Sequence, residues 1–327
     1  MIRFATIGTN WITDRFIEAA AQIEDFKLNA VYSRTEKKAS NFAEKYNIDN
    51  YFSNLEEMAA SDLIDAVYIA SPNSLHAEQS ILFLENNKHV LCEKAIASNQ
   101  KELKRMIETA KKNDLLLMEA MKSSFLPNYK LIENNIPELG RIRRVFFNYC
   151  QYSSRDDKYK RGENPNTFNP EFSNGALMDI GVYCIYPLIN FFGMPESLQV
   201  ESLILDSLVD GEGSIIFEYD SMDAVITYSK IADSYIKSEI QGEKANIVID
   251  KIAEPEEVIL IEREAGKRKL SKNRKYETMY YEIKHFIDLI KAGKTESPVN
   301  SYELTLKVMK IMDIIREKSG IIFPADN

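Results

Sequence analysis

The sequence predicts two domains: an α/β domain built on a doubly wound parallel sheet, then an α+β domain with a large open, mainly antiparallel sheet. Three observations carry this. Up to residue 121, short apolar runs alternate with amphipathic helical patterns, as parallel strands joined by right-handed crossovers require. Beyond it, successive strand-like runs follow one another across turn residues. With 327 residues, the chain can bury two separate cores.

In order, residues 2–7, 28–32, 51–52, 66–70, 89–92 and 115–119 read as strands of the first domain. Among the intervening helices, Leu103, Met106, Ile107 and Ala110 form the stripe of a helix packed on one face, and Asn99 followed by Glu102 marks its start. In the second part, residues 175–192 predict a long helix. Residues 198–209, 213–219, 224–231, 235–241, 245–249 and 257–261 are rich in Val, Ile, Tyr and Phe and predict strands. The basic stretch 267–275 reads as a solvated hairpin or loop. Two helices close the chain, at 276–292 and 302–318, the latter striped by Leu304, Val308, Ile311, Met312 and Ile315 and ended by Gly320. Residues 1–121 are expected to bind a nucleotide, and 122–327 to supply substrate binding and oligomerisation.

Composition narrows the class. Fifty acidic against 41 basic residues give a net charge of −9, which offers no general attraction to nucleic acid or an anionic membrane. No run reads as a membrane span and the N-terminus lacks the pattern of a signal peptide. Cys92, Cys150 and Cys184 are odd in number and scattered, which fits a reducing compartment. A soluble, cytoplasmic protein is expected.

The loops after the first-domain strands carry the chemistry. Gly8-Thr9-Asn10-Trp11-Ile12 follows the first strand and opens a helix, where a Rossmann domain places backbone amides against a pyrophosphate. Only the first glycine of G-x-G-x-x-G is present, and Asn10 tolerates left-handed backbone better than most residues. At the end of the second strand, an NAD-specific domain carries an acid for the ribose 2′-hydroxyl. Here stand Ser33, Arg34 and, farther on, Lys38, a donor set suited to a 2′-phosphate. NADP(H) is therefore the preferred cofactor, with NAD(H) as the lesser possibility. Ser71-Pro72-Asn73-Ser74-Leu75-His76 and Cys92-Glu93-Lys94-Ala95 fall at the carboxyl ends of two further strands, the ligand side of such a sheet. Farther on, Gly175-Ala-Leu-Met-Asp179-Ile-Gly181-Val-Tyr183 places Asp179 and Tyr183 four apart on a predicted helix.

These motifs, in this order, resemble the glucose–fructose oxidoreductase / inositol dehydrogenase (Gfo/Idh/MocA) family over essentially the whole chain, and most closely its dimeric dihydrodiol dehydrogenase-like branch. The resemblance implies an NAD(P)-dependent dehydrogenase or reductase acting on CH–OH groups, and a homodimer or dimer of dimers. It implies that Lys94 reaches the substrate oxygen and the nicotinamide ribose, and that Asp179 and Tyr183 complete the catalytic set. Asn73 and His76 would line the cofactor. Three departures stand out: Ala95 in place of the family's proline, the reduced glycine loop, and Lys122-Ser123-Ser124 where the dihydrodiol branch carries Trp and Arg. Lys122, Ser123, Ser124 and the polar segment 155–169 suit a hydroxylated ligand such as a sugar or polyol.

Residue chemistry agrees with that set. A free tyrosine titrates near ~10, too high for a base at neutral pH. A neighbouring ammonium such as Lys94 favours the phenolate, so Tyr183 becomes a competent proton carrier, with Asp179 orienting it or binding a neighbouring hydroxyl. No metal is expected, because His89 and Cys92 lack a third ligand nearby in sequence. No nucleophile elbow of a hydrolase is present. The alternative reading is a non-catalytic NADP(H)-sensing protein on the same fold, favoured by Ala95 and the reduced glycine loop.

Overall fold

The computed structural model describes all 327 residues, which form two compact units. The first comprises Met1–Lys122 with Tyr276–Leu306, and the second Ser123–Lys275 with Lys307–Asn327.

In the first unit, β1 (Ile2–Ile7), α1 (Trp11–Ala20), β2 (Phe26–Tyr32), α2 (Glu36–Lys45), β3 (Asn50–Phe52) and α3 (Leu55–Ala60) form one half of the sheet. β4 (Ala66–Ile69), α4 (His76–Glu85), β5 (His89–Glu93), α5 (Gln100–Lys112) and β6 (Leu117–Ala120) form the other. The six strands are parallel in the order β3-β2-β1-β4-β5-β6, a doubly wound Rossmann-type sheet. Its reversal of order lies between β1 and β4, so the loops after these strands open at the switch point where such sheets bind ligands. Covered on both faces, β4 is wholly buried, and the Phe16 ring of α1 stacks 3.8 Å from that of Tyr68. α5 begins as expected: Asn99 accepts from the Glu102 amide at 2.9 Å while the Glu102 carboxylate accepts from the Ser98 amide. Each buried residue of the Leu103, Met106, Ile107 stripe contributes about 1.5–3 kcal/mol, against about 1 for the cap, so packing and not capping decides that this helix forms.

The second unit contains α6 (Pro127–Asn135), β7 (Ile142–Cys150), α7 (Ser154–Lys160), α8 (Val182–Phe192), β8 (Ser197–Ile204), β9 (Asp210–Glu218), β10 (Asp223–Ser229), β11 (Ser238–Gly242), β12 (Ala245–Ile249), β13 (Val258–Glu262) and β14 (Gly266–Lys269). Its eight strands run β14-β13-β12-β11-β7-β10-β9-β8, antiparallel except for the β7–β10 pair. One face is apolar, with Val145, Phe147, Ile215, Phe217, Ile226, Ile240 and Ile247 fully buried. α8 packs on this sheet, and Val182, Ile185 and Leu188 are likewise inaccessible.

Several expectations need correcting here. β7, near the middle of the sheet, was not expected as a strand. The expected strand 198–209 ends at Ile204, because the Leu205 amide donates to Val209 O across a turn in which Leu208 takes φ 68°. The expected strand 235–241 begins only at Ser238, and Tyr235 and Ile236 are 94% and 66% exposed. The stretch Pro170–Phe192 is long and apolar enough to cross a membrane by length and composition, contrary to the reading above. With 78% of that window buried inside the protein, it serves as core.

Two helices remain, α9 (Thr278–Lys291) and α10 (Tyr302–Ser319). α9 groups with the first unit although the expected division places it in the second half of the chain. The cause is its apolar stripe: Phe286 is fully buried with its ring 6.0 Å from that of Phe4 in β1, and Met279 and Ile283 are buried beside it. Gly320 ends α10 at φ 72°, as expected.

Candidate active site

At the end of β1, Gly8 takes φ 108°, and a Cβ there would lie 2.8 Å from the Ala70 carbonyl oxygen. Glycine is thus required by backbone approach to β4. Asn10 does not use the left-handed backbone that asparagine tolerates. It is extended, with φ −99°, and caps α1 by accepting from the Ile12 and Thr13 amides while its Nδ2 donates to Ala70 O at 3.1 Å. Two of the amides that a glycine loop leaves for a phosphate are therefore already satisfied. Trp11 is 61% exposed beside them. At the end of β2, Ser33 is buried and Arg34 and Lys38 are exposed, and no carboxylate closes the strand. As a donor set this suits a ligand carrying a phosphate there.

The loops after β1, β4 and β5 and the strand β6 are chained by hydrogen bonds. Asn10 reaches Ala70, as described. His76, fully buried at the start of α4, places Nε2 2.9 Å from Ser71 O and Nδ1 2.9 Å from Ala95 O. Two carbonyls favour a doubly protonated ring, but burial is the larger effect and takes the imidazole down to about 4. Ser71 Oγ donates to Gln79 at 2.7 Å. Ile96 N donates to Glu119 Oε1 at 3.2 Å, joining the β5 loop to β6. His76 thus acts as a buckle between two loops, and Asn73, in the first of them, is buried. The Lys94–Ala95 peptide is cis with alanine in place of proline.

Three carboxyls gather around this corner, Glu119 and Glu282 buried and Glu93 partly so. The Tyr68 phenol donates to Glu93 Oε1 at 2.5 Å; burial pushes Glu93 up, and Lys94 and Lys122 draw it back. Glu119, 3% exposed, is lifted by burial to about 7. Glu282 of α9 is fully buried with neither oxygen hydrogen-bonded; burial first, and then the charge of Glu93, hold it well above the carboxylate range. Sequence reasoning missed Glu282, whose signal is an acid within the apolar stripe Met279, Ile283, Phe286.

Glu119 gives a pH-dependent expectation. Its folded value near 7 lies above the value of 4.5 for an unperturbed glutamate, so its contribution to stability is complete below 4.5 and is lost as pH rises through 7. Glu119→Gln should therefore raise the melting temperature relative to the parent more at pH 8 than at pH 5. An equal difference at both pH values would refute it.

In the second unit, Asp179 lies in a π-helical turn (Leu177–Gly181) that runs directly into α8. Such turns widen a helix locally and are frequent at functional sites. The turn is held from β9: Asp210, 1% exposed, accepts from Leu177 N at 2.7 Å, and burial raises its carboxyl to about 6. Gly175, at φ 151°, must lack a Cβ because one would lie 2.3 Å from Asp210 Oδ1. Tyr183 is 9% exposed in the first turn of α8, and its ring meets that of Tyr149 edge-on at 5.7 Å. Burial, then the charges of Asp179 and Glu254, push the Tyr149 phenol up to about 12. Asp179 and Tyr183 therefore border one neighbour, Tyr149. Lys230 Nζ donates to Asp179 Oδ2, a partner that no motif announced. Ser123 and Ser124, expected near the substrate, are buried, and Ser123 Oγ donates to Ala253 O at 2.5 Å, which commits it to packing.

The model of an oxidoreductase family with an NAD-binding Rossmann fold, Gfo/Idh/MocA, matches residues 2–121, and the model of the Gfo/Idh/MocA C-terminal domain matches residues 130–248. The scyllo-inositol 2-dehydrogenase (NADP(+)) of Bacillus subtilis strain 168 is 52% identical over 326 residues, spanning 100% of this chain and 99% of that protein. The chain belongs to the Gfo/Idh/MocA family. It is an NAD(P)-dependent oxidoreductase. The trans-1,2-dihydrobenzene-1,2-diol dehydrogenase of Xenopus tropicalis is 29% identical over 96% of both chains. A 3-ketoreductase from Actinomadura kijaniata, solved with NADP and TDP-benzene, superposes with a TM-score of 0.85 at 23% identity, covering 97% of this chain and 98% of that one. The resemblance drawn from the motifs thus holds for both halves of the Gfo/Idh/MocA architecture. Lys94, Glu93 and Lys122 belong to its first unit, and Asp179 and Tyr183 to its second.

Proposed function

We propose that this chain is an NADP(H)-preferring dehydrogenase or reductase acting on a CH–OH carbon of a sugar, polyol or related small molecule. The observation that carries the reading is the phenol of Tyr183 set one turn after Asp179, both bordering Tyr149. In the proposed reaction, Tyr183 exchanges a proton with the substrate oxygen, Lys94 holds that oxygen and favours the phenolate, and Asp179 fixes the substrate. Lys122 joins them in binding a hydroxylated ligand. The nicotinamide, when bound, supplies the hydride acceptor or donor. Gly8, Thr9, Asn10, Trp11 and Ile12 would receive its pyrophosphate, Ser33, Arg34 and Lys38 the 2′-phosphate, and Ser71, Pro72, Asn73 and Glu93 would line the remainder. The expected role of His76 there is corrected to support, since it is fully buried with both nitrogens on backbone carbonyls. The 52% identical relative makes scyllo-inositol the first substrate to try. A panel of inositols, sugars and their ketones with NADP and NADPH, followed by nicotinamide absorbance, tests the proposal. Tight cofactor binding without turnover of any member would favour the sensing alternative.

Cofactor choice can be tested separately. NADP(H) should bind more tightly than NAD(H), and Arg34→Ala should erase most of the difference, because a guanidinium pairs with a 2′-phosphate and has no counterpart on a 2′-hydroxyl. Titration of both cofactors into parent and variant decides; tighter NAD(H) binding by the parent would end the idea.

We also infer a cytoplasmic homodimer or dimer of dimers, with residues 122–327 providing its contacts. The face of the second sheet opposite α8 carries Ile216 at 50% and Leu203 at 48% exposure, apolar side chains that a second copy would cover. Light scattering should report at least two subunits, and Ile216→Glu should shift the population toward monomer. A monomeric parent at micromolar concentration would overturn it. Three unpaired cysteines, two of them buried, accord with a reducing compartment.

A further inference from the structure

We propose that Lys230 is a positioning residue of the active site, holding Asp179 as a carboxylate aimed at the substrate. The inference rests on the reading above that Asp179 binds substrate.

Lys230 follows β10 directly, and its backbone is clamped on both sides. Its amide donates to Gly211 O at 2.9 Å, and its carbonyl accepts from Ser153 N at 2.9 Å. The neighbouring Ser229 Oγ accepts from the Ile231 and Ala232 amides at 3.2 and 3.0 Å, which fixes the turn that follows. The side chain is only 12% exposed and ends on Asp179 Oδ2, whose own side chain is 28% exposed. Many other ion pairs of this chain join two well-exposed partners, for example Arg143–Glu243 at 51% and 50%, and such pairs do little. A lysine so withdrawn from water loses hydration that only its partner and neighbours replace. The pair also lies beside both tyrosines, since Asp179 raises the phenol of Tyr149, and Tyr149 contacts Tyr183. An anchored cation at this point limits the rotamers of the carboxylate, so that it accepts from a substrate hydroxyl in one orientation. The second unit thus carries a cation of its own beside Asp179.

A double-mutant cycle on the intact enzyme tests this, using Asp179→Asn, Lys230→Met and both together, with steady-state kinetics on the substrate found in the panel. Lys230→Met should raise KM and lower kcat/KM roughly tenfold, leave NADP(H) affinity unchanged, and add almost no further loss in the Asp179→Asn background. Lys230→Arg, which keeps a charge in reach, should recover most of the loss. Losses that multiply in the double variant would overturn the proposal, as would a Lys230→Met enzyme with the parent KM. If Asp179→Asn itself behaves as the parent, the reading of Asp179 falls and this proposal with it. If Asp179→Asn is impaired and Lys230→Met is not, only the proposal falls. Circular dichroism checks folding, and should Lys230→Met fail to fold, Lys230→Gln removes the charge while retaining a hydrogen-bond donor and should give the same pattern.

Discussion

Replacing Tyr183 by phenylalanine should lower turnover by ~10²- to 10⁴-fold, the usual worth of a positioned proton carrier, while cofactor affinity stays close to that of the parent. The ring would remain packed against Tyr149, so the variant removes one hydroxyl and little else. A second tyrosine, Tyr149, lies against Tyr183. Burial and the adjacent carboxylates push the Tyr149 phenol up to about 12, away from the range of a base at neutral pH. Tyr149→Phe should therefore retain far more activity than Tyr183→Phe. Steady-state rates on a substrate from the panel, with circular dichroism as the folding control, provide the comparison. Near-normal turnover in Tyr183→Phe would make its phenol a packing or binding group, and the proton carrier would then be sought at Lys94 or a bound water.

Lys94→Ala should be at least as damaging, on the order of 10²- to 10⁴-fold or more in kcat. It deletes a hydrogen-bond donor and a charge, and the charge matters locally. Lys94 and Lys122 are the cations that draw Glu93 down, and Lys94 also acts on Glu119. With Lys94 gone, both carboxyls move further toward the neutral form, so the variant alters its surroundings as well as its own position. Comparing kcat, KM and NADP(H) affinity locates the effect. A large loss in cofactor affinity at preserved kcat would assign Lys94 to binding alone.

Much of this was legible in sequence. The strand–loop–helix alternation of the first half, the Asn99 cap and the Asp179–Tyr183 spacing are local patterns, and local patterns read well. β7 was not legible because Arg143, Arg144 and Asn148 break its apolar alternation, and it pairs in parallel with β10, a partner far along the chain that no turn signal points to. Glu282 and Lys230 escaped for a related reason. Each is an isolated charge whose significance comes from a neighbour distant in sequence: Glu93 and Lys122 for the first, Asp179 for the second. Asn10 shows the opposite failure. The reading considered only what its backbone tolerates, whereas its side chain performs the capping.

The Asp210–Leu177 contact has a consequence for how this chemistry could be moved or could diverge. The segment that presents Asp179 and Tyr183 does not cap itself; its leading amide is met by a carboxylate on a strand 33 positions away, over a glycine that leaves room for it. This helix is consequently not a portable cassette. Transplanted into a related scaffold without β9, it would lose the anchor that sets its starting point and, with it, the register of both functional side chains. Within a lineage, Gly175 and Asp210 should change together or not at all, so a chimera that splits them should fail even when every residue in contact with substrate is retained.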